Sequence, residues 1–314
     1  MADTPLYLAP LAGYTDRAFR ELCKDWQADY LLSEMVSADG LIRDQKRTLA
    51  FVLFSDKERP YGVQIFGSNP LVMARAAEAL LPYKPDFIDI NMGCPVKKVV
   101  KRGAGSALMQ APTQASEIVK AVKSVTQGQL PLSVKFRSGW DSSNINYMDF
   151  GLLMQESGAD ILCLHPRTSK QMFSGLSNWE HIKNLKQALS IPLIGNGDID
   201  SPESAKQMIE DTHCDAIMIG RGALGRPWLF AQIKEYLRYG EYSPITKDKL
   251  LDTALRHIDN ALAYKEEHLV VREMRSQLCH YIKAAPGSKE IRERINHAQS
   301  VLELKEHLSR WLRI

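Results

Sequence analysis

No apolar run in this chain approaches the roughly 18 residues that a membrane-spanning helix needs, so none is expected to enter a bilayer. The N-terminus, Met1-Ala-Asp-Thr-Pro5, has neither a basic start nor an apolar stretch and does not read as a secretory signal. Cysteine is sparse: five in 314 residues, at positions 23, 94, 163, 214 and 279, odd in number and never spaced as Cys-x-x-Cys. That argues against a disulfide framework or a metal site and for a reducing, cytoplasmic setting. Internal repeats and low-complexity tracts are also missing. Net charge is only +3, and residues 246–314 carry all of it, with 13 Lys+Arg against 10 Asp+Glu and 27 of each elsewhere. A polyanionic partner and a solvated helical surface both account for so small an excess.

What is there is a rhythm. Eight short apolar runs fall at 6–10, 30–36, 61–66, 87–91, 132–137, 161–165, 191–195 and 216–220, most of them separated by helical segments. Strand–helix alternation implies a parallel sheet, and eight units over about 225 residues suit a closed (β/α)8 TIM barrel, with an open doubly wound sheet as the alternative. The barrel is expected over residues 1–240. A small all-helical domain is expected over 246–314, with helices at 246–267, at 270–284 and from 288 to the end. There Leu250, Ala254, His257, Ile258 and Ala261 recur at helical spacing, as do Val301, Leu304, Leu308, Trp311 and Leu312.

The unusual polar residues cluster where strands end. Gln64, Asn91, Cys94, Lys135, Arg137, His165, Arg167, the Asn196-Gly197-Asp198 turn and Gly220-Arg221 all fall there. In a barrel those ends form one rim, where active sites sit. Lys135 and Arg137 are two apart, so both face the same way, and two cations entering one mouth call for an anionic partner. Turns after the seventh and eighth strands are the usual phosphate position of such barrels. FMN fits these features: its phosphate at the last two strands, Lys135 against the edge that is negative when reduced, Gln64 on the ring edge. A Schiff-base enzyme with Lys135 as nucleophile is the rival. Cys94 is presented by Asp86-Phe-Ile-Asp-Ile-Asn-Met-Gly-Cys-Pro95, where Gly93 is expected to supply special backbone geometry and Pro95 to keep Cys94 non-helical. An inert buried thiol is the bland reading. Beside a flavin, a thiol of ordinary pKa about 8.5 serves as a proton donor.

Several strings resemble the tRNA-dihydrouridine synthases: Leu8-Ala-Pro-Leu-Ala-Gly-Tyr-Thr-Asp16, Val63-Gln-Ile-Phe-Gly67, Asp89-Ile-Asn-Met-Gly-Cys-Pro-Val-Lys-Lys98 and Gly103-Ala-Gly-Ser-Ala-Leu108. So do Val134-Lys-Phe-Arg-Ser-Gly-Trp140, Asn196-Gly-Asp-Ile199 and Met218-Ile-Gly-Arg-Gly222, and the form with Lys97-Lys98 is similar to the bacterial B-type branch. The resemblance implies an FMN-dependent enzyme that reduces the C5=C6 bond of a D-loop uridine in tRNA, with NADPH as electron donor. Reduced FMN would give hydride to C6 and Cys94 a proton to C5. It implies FMN contacts at Pro10, Leu11, Ala12, Gln64, Lys135, His165, Asn196, Gly197, Asp198, Gly220 and Arg221, and uracil contacts at Asn91 and Arg137. The helical tail would grip tRNA while the target base leaves the stack, and Lys97, Lys98, Lys101 and Arg102 would lie along its backbone. A monomer without metal is expected. Two departures stand out: His165-Pro166-Arg167-Thr168 where the family usually has Gly in second place, and Ser276-Gln277 where it commonly has a basic pair. A flavin barrel oxidoreductase acting on a free pyrimidine or other small unsaturated substrate, and a non-catalytic RNA-binding barrel, are the competing readings.

Overall fold

The computed structural model describes residues 1–43, 46–126, 128–282 and 287–313. Its strands are β1 (Leu6–Leu8), β2 (Leu31–Leu32), β3 (Val36–Ser37), β4 (Tyr61–Phe66), β5 (Phe87–Met92), β6 (Leu132–Arg137), β7 (Ile161–His165), β8 (Leu193–Asn196) and β9 (Ala216–Ile219). All pair in parallel, in the order β1-β9-β8-β7-β6-β5-β4-β2, with β3 also on β4. The ring closes where Tyr7 bridges Tyr30 and Leu8 N–H donates to the Tyr30 carbonyl at 3.0 Å. A doubly wound sheet would leave that edge open, so the barrel stands.

The run expected as one strand at 30–36 is two, β2 and β3, and together they are the second stave. The cause is Ser33: its Oγ accepts the Gln64 N–H at 2.9 Å, a bond that a ladder carbonyl would otherwise take. Helices lie outside, led by Arg17–Asp25, Pro70–Leu80, Pro112–Thr126, Tyr147–Glu156, Glu180–Ala188, Pro202–Thr212 and Leu229–Tyr239. Strand residues alternate as the period of two requires. Val134 and Phe136 face the helices, with Phe136 5.3 Å from Phe150, while Lys135 and Arg137 face inward. Below them the barrel is filled, its floor formed by Tyr7 stacked on Tyr30 at 4.4 Å and by Phe87 beside Tyr30.

The tail folds as helices Lys247–Leu262, Glu267–Tyr281, Ser288–His297 and Val301–Arg313. The stretch expected as one helix from 288 onward breaks at Ala298, whose carbonyl turns to accept Nε and Nη2 of Arg275 at 3.2 and 2.6 Å. The last residues of the 270–284 helix, and the Leu312 side chain, lie outside the described residues. Both predicted stripes are core, but this core also takes in Ala18, Leu22 and Trp228 from the barrel helices and their approaches. Among the described residues no helix is long and apolar enough to cross a membrane.

Candidate active site

The rim is built from the carboxyl ends of the strands. Pro10 and Leu11 are half-buried and Ala12 exposed on the loop after β1. Gln64 on β4, Asn91 on β5, Lys135 and Arg137 on β6 and His165 on β7 point into the mouth. Asn196 ends β8, Gly197 and Asp198 follow it, and Gly220 and Arg221 follow β9. Register sets their heights: Gln64 is level with Asp89, Asn91 with Lys135, and Arg137 with His165.

Cys94 is half-buried on the turn after β5. Asn91 Oδ1 accepts the backbone N–H of Gly93 at 3.1 Å and of Cys94 at 2.9 Å, so the side chain that ends the strand also shapes the turn. Gly93 has no left-handed φ and an added Cβ would meet only ordinary contacts, the nearest at 3.5 Å. The expectation that it supplies special backbone geometry is therefore wrong. The glycine that matters is Gly105, at φ +60°, where a Cβ would lie 2.6 Å from the Cys94 carbonyl. That carbonyl accepts the Ser106 N–H at 3.0 Å, so the Gly103–Leu108 string lets a second backbone brace the Cys94 loop. Burial raises the thiol pKa, with the Val96 N–H and the cations Arg137 and Lys135 working against it. Cys94 is a protonated thiol at neutral pH.

The inward cations are held differently. Lys135 Nζ donates to Asn196 Oδ1 at 2.9 Å, and Asn196 in turn donates to the Met218 carbonyl at 2.7 Å. Burial lowers the Lys135 pKa. Arg137, 3% exposed, clamps three carbonyls: Gly93 through Nε at 2.7 Å, and Thr168 and Met172 through Nη1, each at 2.9 Å. Burial brings its pKa down to about 10, so it remains a cation. Nη2 donates to no protein group among the described residues.

Arg167 is the residue that sequence reasoning undervalued. It is almost fully buried and binds both Asp198 oxygens at 2.7 Å, Ser177 Oγ at 3.0 Å, and the Ser174 and Gly175 carbonyls at 3.2 and 2.5 Å. It thereby ties the loop after β7 to the turn after β8. Its Nη1 also lies 3.3 Å from His165 Nε2. A guanidinium can only donate, so Nε2 accepts and the His165 proton sits on Nδ1. Burial, then Lys135, Arg137, Arg167 and Arg221, push the His165 pKa well below its ordinary value, leaving a neutral imidazole. Pro166 does not disturb this: its carbonyl accepts the Asn178 N–H at 3.3 Å and the His165–Arg167 turn stays tight. Gly197, at φ +118°, lies so close to His165 that a Cβ would sit 2.8 Å from its Cδ2. Arg221 is half-exposed, 3.5 Å from Asp198 and 5.0 Å from the Phe173 ring.

Two further groups escaped notice. Asp89 and Ser133, each two residues before a recognised position on its strand, face inward and bond each other. Glu34, in the gap between β2 and β3, accepts the Gly13 N–H behind the β1 loop. Ser276 and Gln277 also meet that loop: Ser276 Oγ is 3.3 Å from the Tyr14 hydroxyl, and Gln277 Nε2 donates to the Tyr14 carbonyl at 3.0 Å. Lys97, Lys98, Lys101 and Arg102 are exposed on and after the Lys97–Val100 helix, and among the described residues none has a carboxylate within ion-pair distance.

A closed parallel barrel with a thiol, two inward cations and a neutral imidazole on its carboxyl rim is a (β/α)8-barrel enzyme. The model of the Dihydrouridine synthase (Dus) family matches residues 7–313. The chain is 39% identical over 295 residues to tRNA-dihydrouridine synthase B of Pseudomonas aeruginosa, covering 94% of this chain and 88% of that protein. It is 41% identical over 293 residues to the protein of the same name from Pseudomonas putida, covering 93% and 86%. Among solved structures, histamine dehydrogenase from Rhizobium sp. 4-9 superposes with a TM-score of 0.57 at 12% identity, over 83% of this chain and 49% of that one, which shows the shared fold. The chain belongs to the dihydrouridine synthase family and is a flavin-dependent oxidoreductase.

The donor set fits a flavin. Lys135 has two N–H groups beyond its bond to Asn196 and Gln64 has one beyond its bond to Asp89; Arg221 is half-exposed at the rim. Cations outnumber carboxylates in the mouth: Lys135, Arg137, Arg167 and Arg221 against Asp89 and Asp198. Such an excess of positive charge and free donors fits an anionic flavin ring.

Proposed function

We infer that this enzyme reduces the C5=C6 bond of a D-loop uridine in tRNA, with FMN as its flavin and NADPH as the electron donor. The observation that carries the reading is a thiol kept protonated by burial on a braced turn, facing two inward cations. Bound FMN, reloaded by NADPH, supplies the hydride for C6.

The chain's own residues do the rest. Cys94 gives its proton to C5, and because its pKa lies above neutrality the thiolate regains one from water. A positioned general acid is worth typically ~10²–10⁴-fold. Asn91 and the free Nη2 edge of Arg137 hold the uracil. Lys135 and Gln64 meet the ring of the cofactor, and neutral His165 adds an Nδ1–H donor. Pro10, Leu11 and Ala12 line its β1 side, and Asn196, Gly197, Asp198, Gly220 and Arg221 receive its phosphate end.

We assign residues 1–240 to a catalytic barrel and 246–314 to a helical tRNA-binding unit, acting as a monomer in the cytoplasm without metal. The exposed cations 97, 98, 101 and 102 beside Cys94 support an RNA backbone passing the mouth. The target base must leave its stack to reach the thiol, as enzymes acting on bases require. Cutting the chain at 246 would strip cover from Ala18, Leu22 and Trp228, so deletion is a poor probe of the tail.

The test is direct. Purified protein with FMN and NADPH is given unmodified tRNA, or free uridine as control, and nucleosides are analysed by mass spectrometry. Dihydrouridine from tRNA alone is expected. Equal reduction of free uridine would replace this reading with a small-molecule reductase.

A further inference from the structure

Asp89 lies mid-way along β5, 1% exposed, between the aromatic floor and the mouth, and the chemistry above makes no use of it. Among the described residues each carboxylate oxygen has one partner. Oδ1 accepts from Ser133 Oγ, and Oδ2 accepts from Gln64 Nε2 at 2.7 Å. An ionised carboxylate can only accept, so both bonds have a fixed sense. Gln64 must turn its nitrogen toward Asp89, which leaves Oε1 to accept from Asn91 Nδ2 at 2.8 Å. Asn91 must then turn Oδ1 to the rim, where it accepts the Gly93 and Cys94 N–H groups. Every donor in this chain points back toward Asp89.

We propose that Asp89 is a positioning residue whose negative charge orients the Gln64 and Asn91 carboxamides and, through them, the turn that aims the Cys94 thiol. The Gly93 and Cys94 N–H groups can only donate and hold the same sense from the rim, so a neutral amide at 89, with a donor beside its acceptor, leaves the Gln64 carboxamide anchored from that side alone.

Among the described residues the titratable groups facing Asp89 are Lys135 from β6, a cation, with Tyr7 from β1 and Cys163 from β7. Burial raises the last two and keeps them neutral, Cys163 up to about 12. Burial also pushes Asp89 up to about 6, with the Ser133 and Gln64 bonds and the Lys135 charge opposing it. The carboxylate therefore exists above about pH 6, and below it the chain loses its anchor at the Asp89 end.

The effect on turnover rests on the role proposed for Cys94, whereas the aim of the thiol can be read without it. In full-length, flavin-loaded protein, alkylation of Cys94 by iodoacetamide is followed through the Cys94 peptide by mass spectrometry. Asp89→Asn is expected to change this rate about tenfold at pH 7.5, since displacing a reacting group by ~1 Å costs up to ~10²-fold. At pH 5 the ratio of variant to parent should close toward one, because the parent carboxyl is then protonated too. A ratio of one at pH 7.5, or the same ratio at both pH values, overturns the proposal. Should Asp89→Asn not fold, Ser133→Ala serves: losing a donor to the carboxylate should move the pH at which Cys94 reactivity changes upward, and an unmoved profile is equally fatal. If the parent makes no dihydrouridine, the proposed function fails while the alkylation result stands.

Discussion

Asn91 Oδ1 accepts the backbone N–H of Cys94 at 2.9 Å, which ties the thiol-bearing turn to a side chain near the end of β5. The bond joins two functions in one residue. Asn91 shapes the Cys94 turn with its oxygen, while its nitrogen is fixed by Gln64.

Replacing Cys94 by Ala should leave the fold and the yellow flavin spectrum intact, because the turn is held by Asn91 and Ser106 through backbone atoms. Dihydrouridine formation should fall by about 10²–10⁴-fold, the range a positioned general acid supplies. Nucleoside mass spectrometry of the tRNA measures it, and near-parental turnover would remove Cys94 from the mechanism.

Much of this site was legible because β-strands have a period of two. Once 132–137 reads as a strand, Lys135 and Arg137 must share a face, and Val134 and Phe136 must take the other. The same rule applied one step down would have found Asp89 below Asn91 and Ser133 below Lys135. Those two hid inside runs that looked simply apolar. The break between β2 and β3 was not legible, since it depends on Ser33 meeting the Gln64 N–H from another strand. Nor was the reach of Arg167, which exists only because residues 174–177 fold back over it. Ser276 and Gln277 read as a missing basic pair, and only tertiary packing brings them to the β1 loop.

Arg167→Ala should destabilise the protein by about 3 kcal/mol, the lower end for breaking a buried ion pair, because Asp198 keeps some solvent contact. Arg167→Lys should rescue little, since one ammonium cannot span Asp198, Ser177 and two loop carbonyls at once. Urea unfolding gives the stability and flavin titration the affinity. A lysine variant as stable as the parent would show that only the charge matters there.

His257 adds an acid-sensitive point in the tail. It is fully buried, its Nδ1 lies 3.1 Å from the Tyr281 hydroxyl and its Nε2 has no hydrogen-bond partner among the described residues. Burial lowers its pKa to about 4, with Asp16 opposing and Lys265 adding to the effect. Between that value and about 6.5 the unfolded chain binds a proton that the folded one excludes, so stability falls as pH drops through this window. The contribution is on the order of 3 kcal/mol. His257→Leu should flatten the loss of stability between pH 6.5 and 4 in urea titrations, and an unchanged slope would place the acid sensitivity elsewhere.

The exposed cations beside Cys94 decide how RNA approaches. Replacing Lys97, Lys98, Lys101 and Arg102 by Gln removes charge without touching an ion pair among the described residues, so the fold and flavin content should not change. If these side chains meet phosphates, KM for tRNA rises while kcat holds, because the thiol and cofactor contacts are intact. The salt dependence of binding should also flatten, by about one unit of log–log slope for each phosphate that is no longer neutralised. Filter binding from about 50 to 200 mM salt, alongside steady-state kinetics, reads both. A parental KM with a parental slope would make these four cations a solvated loop and shift the RNA path to the tail.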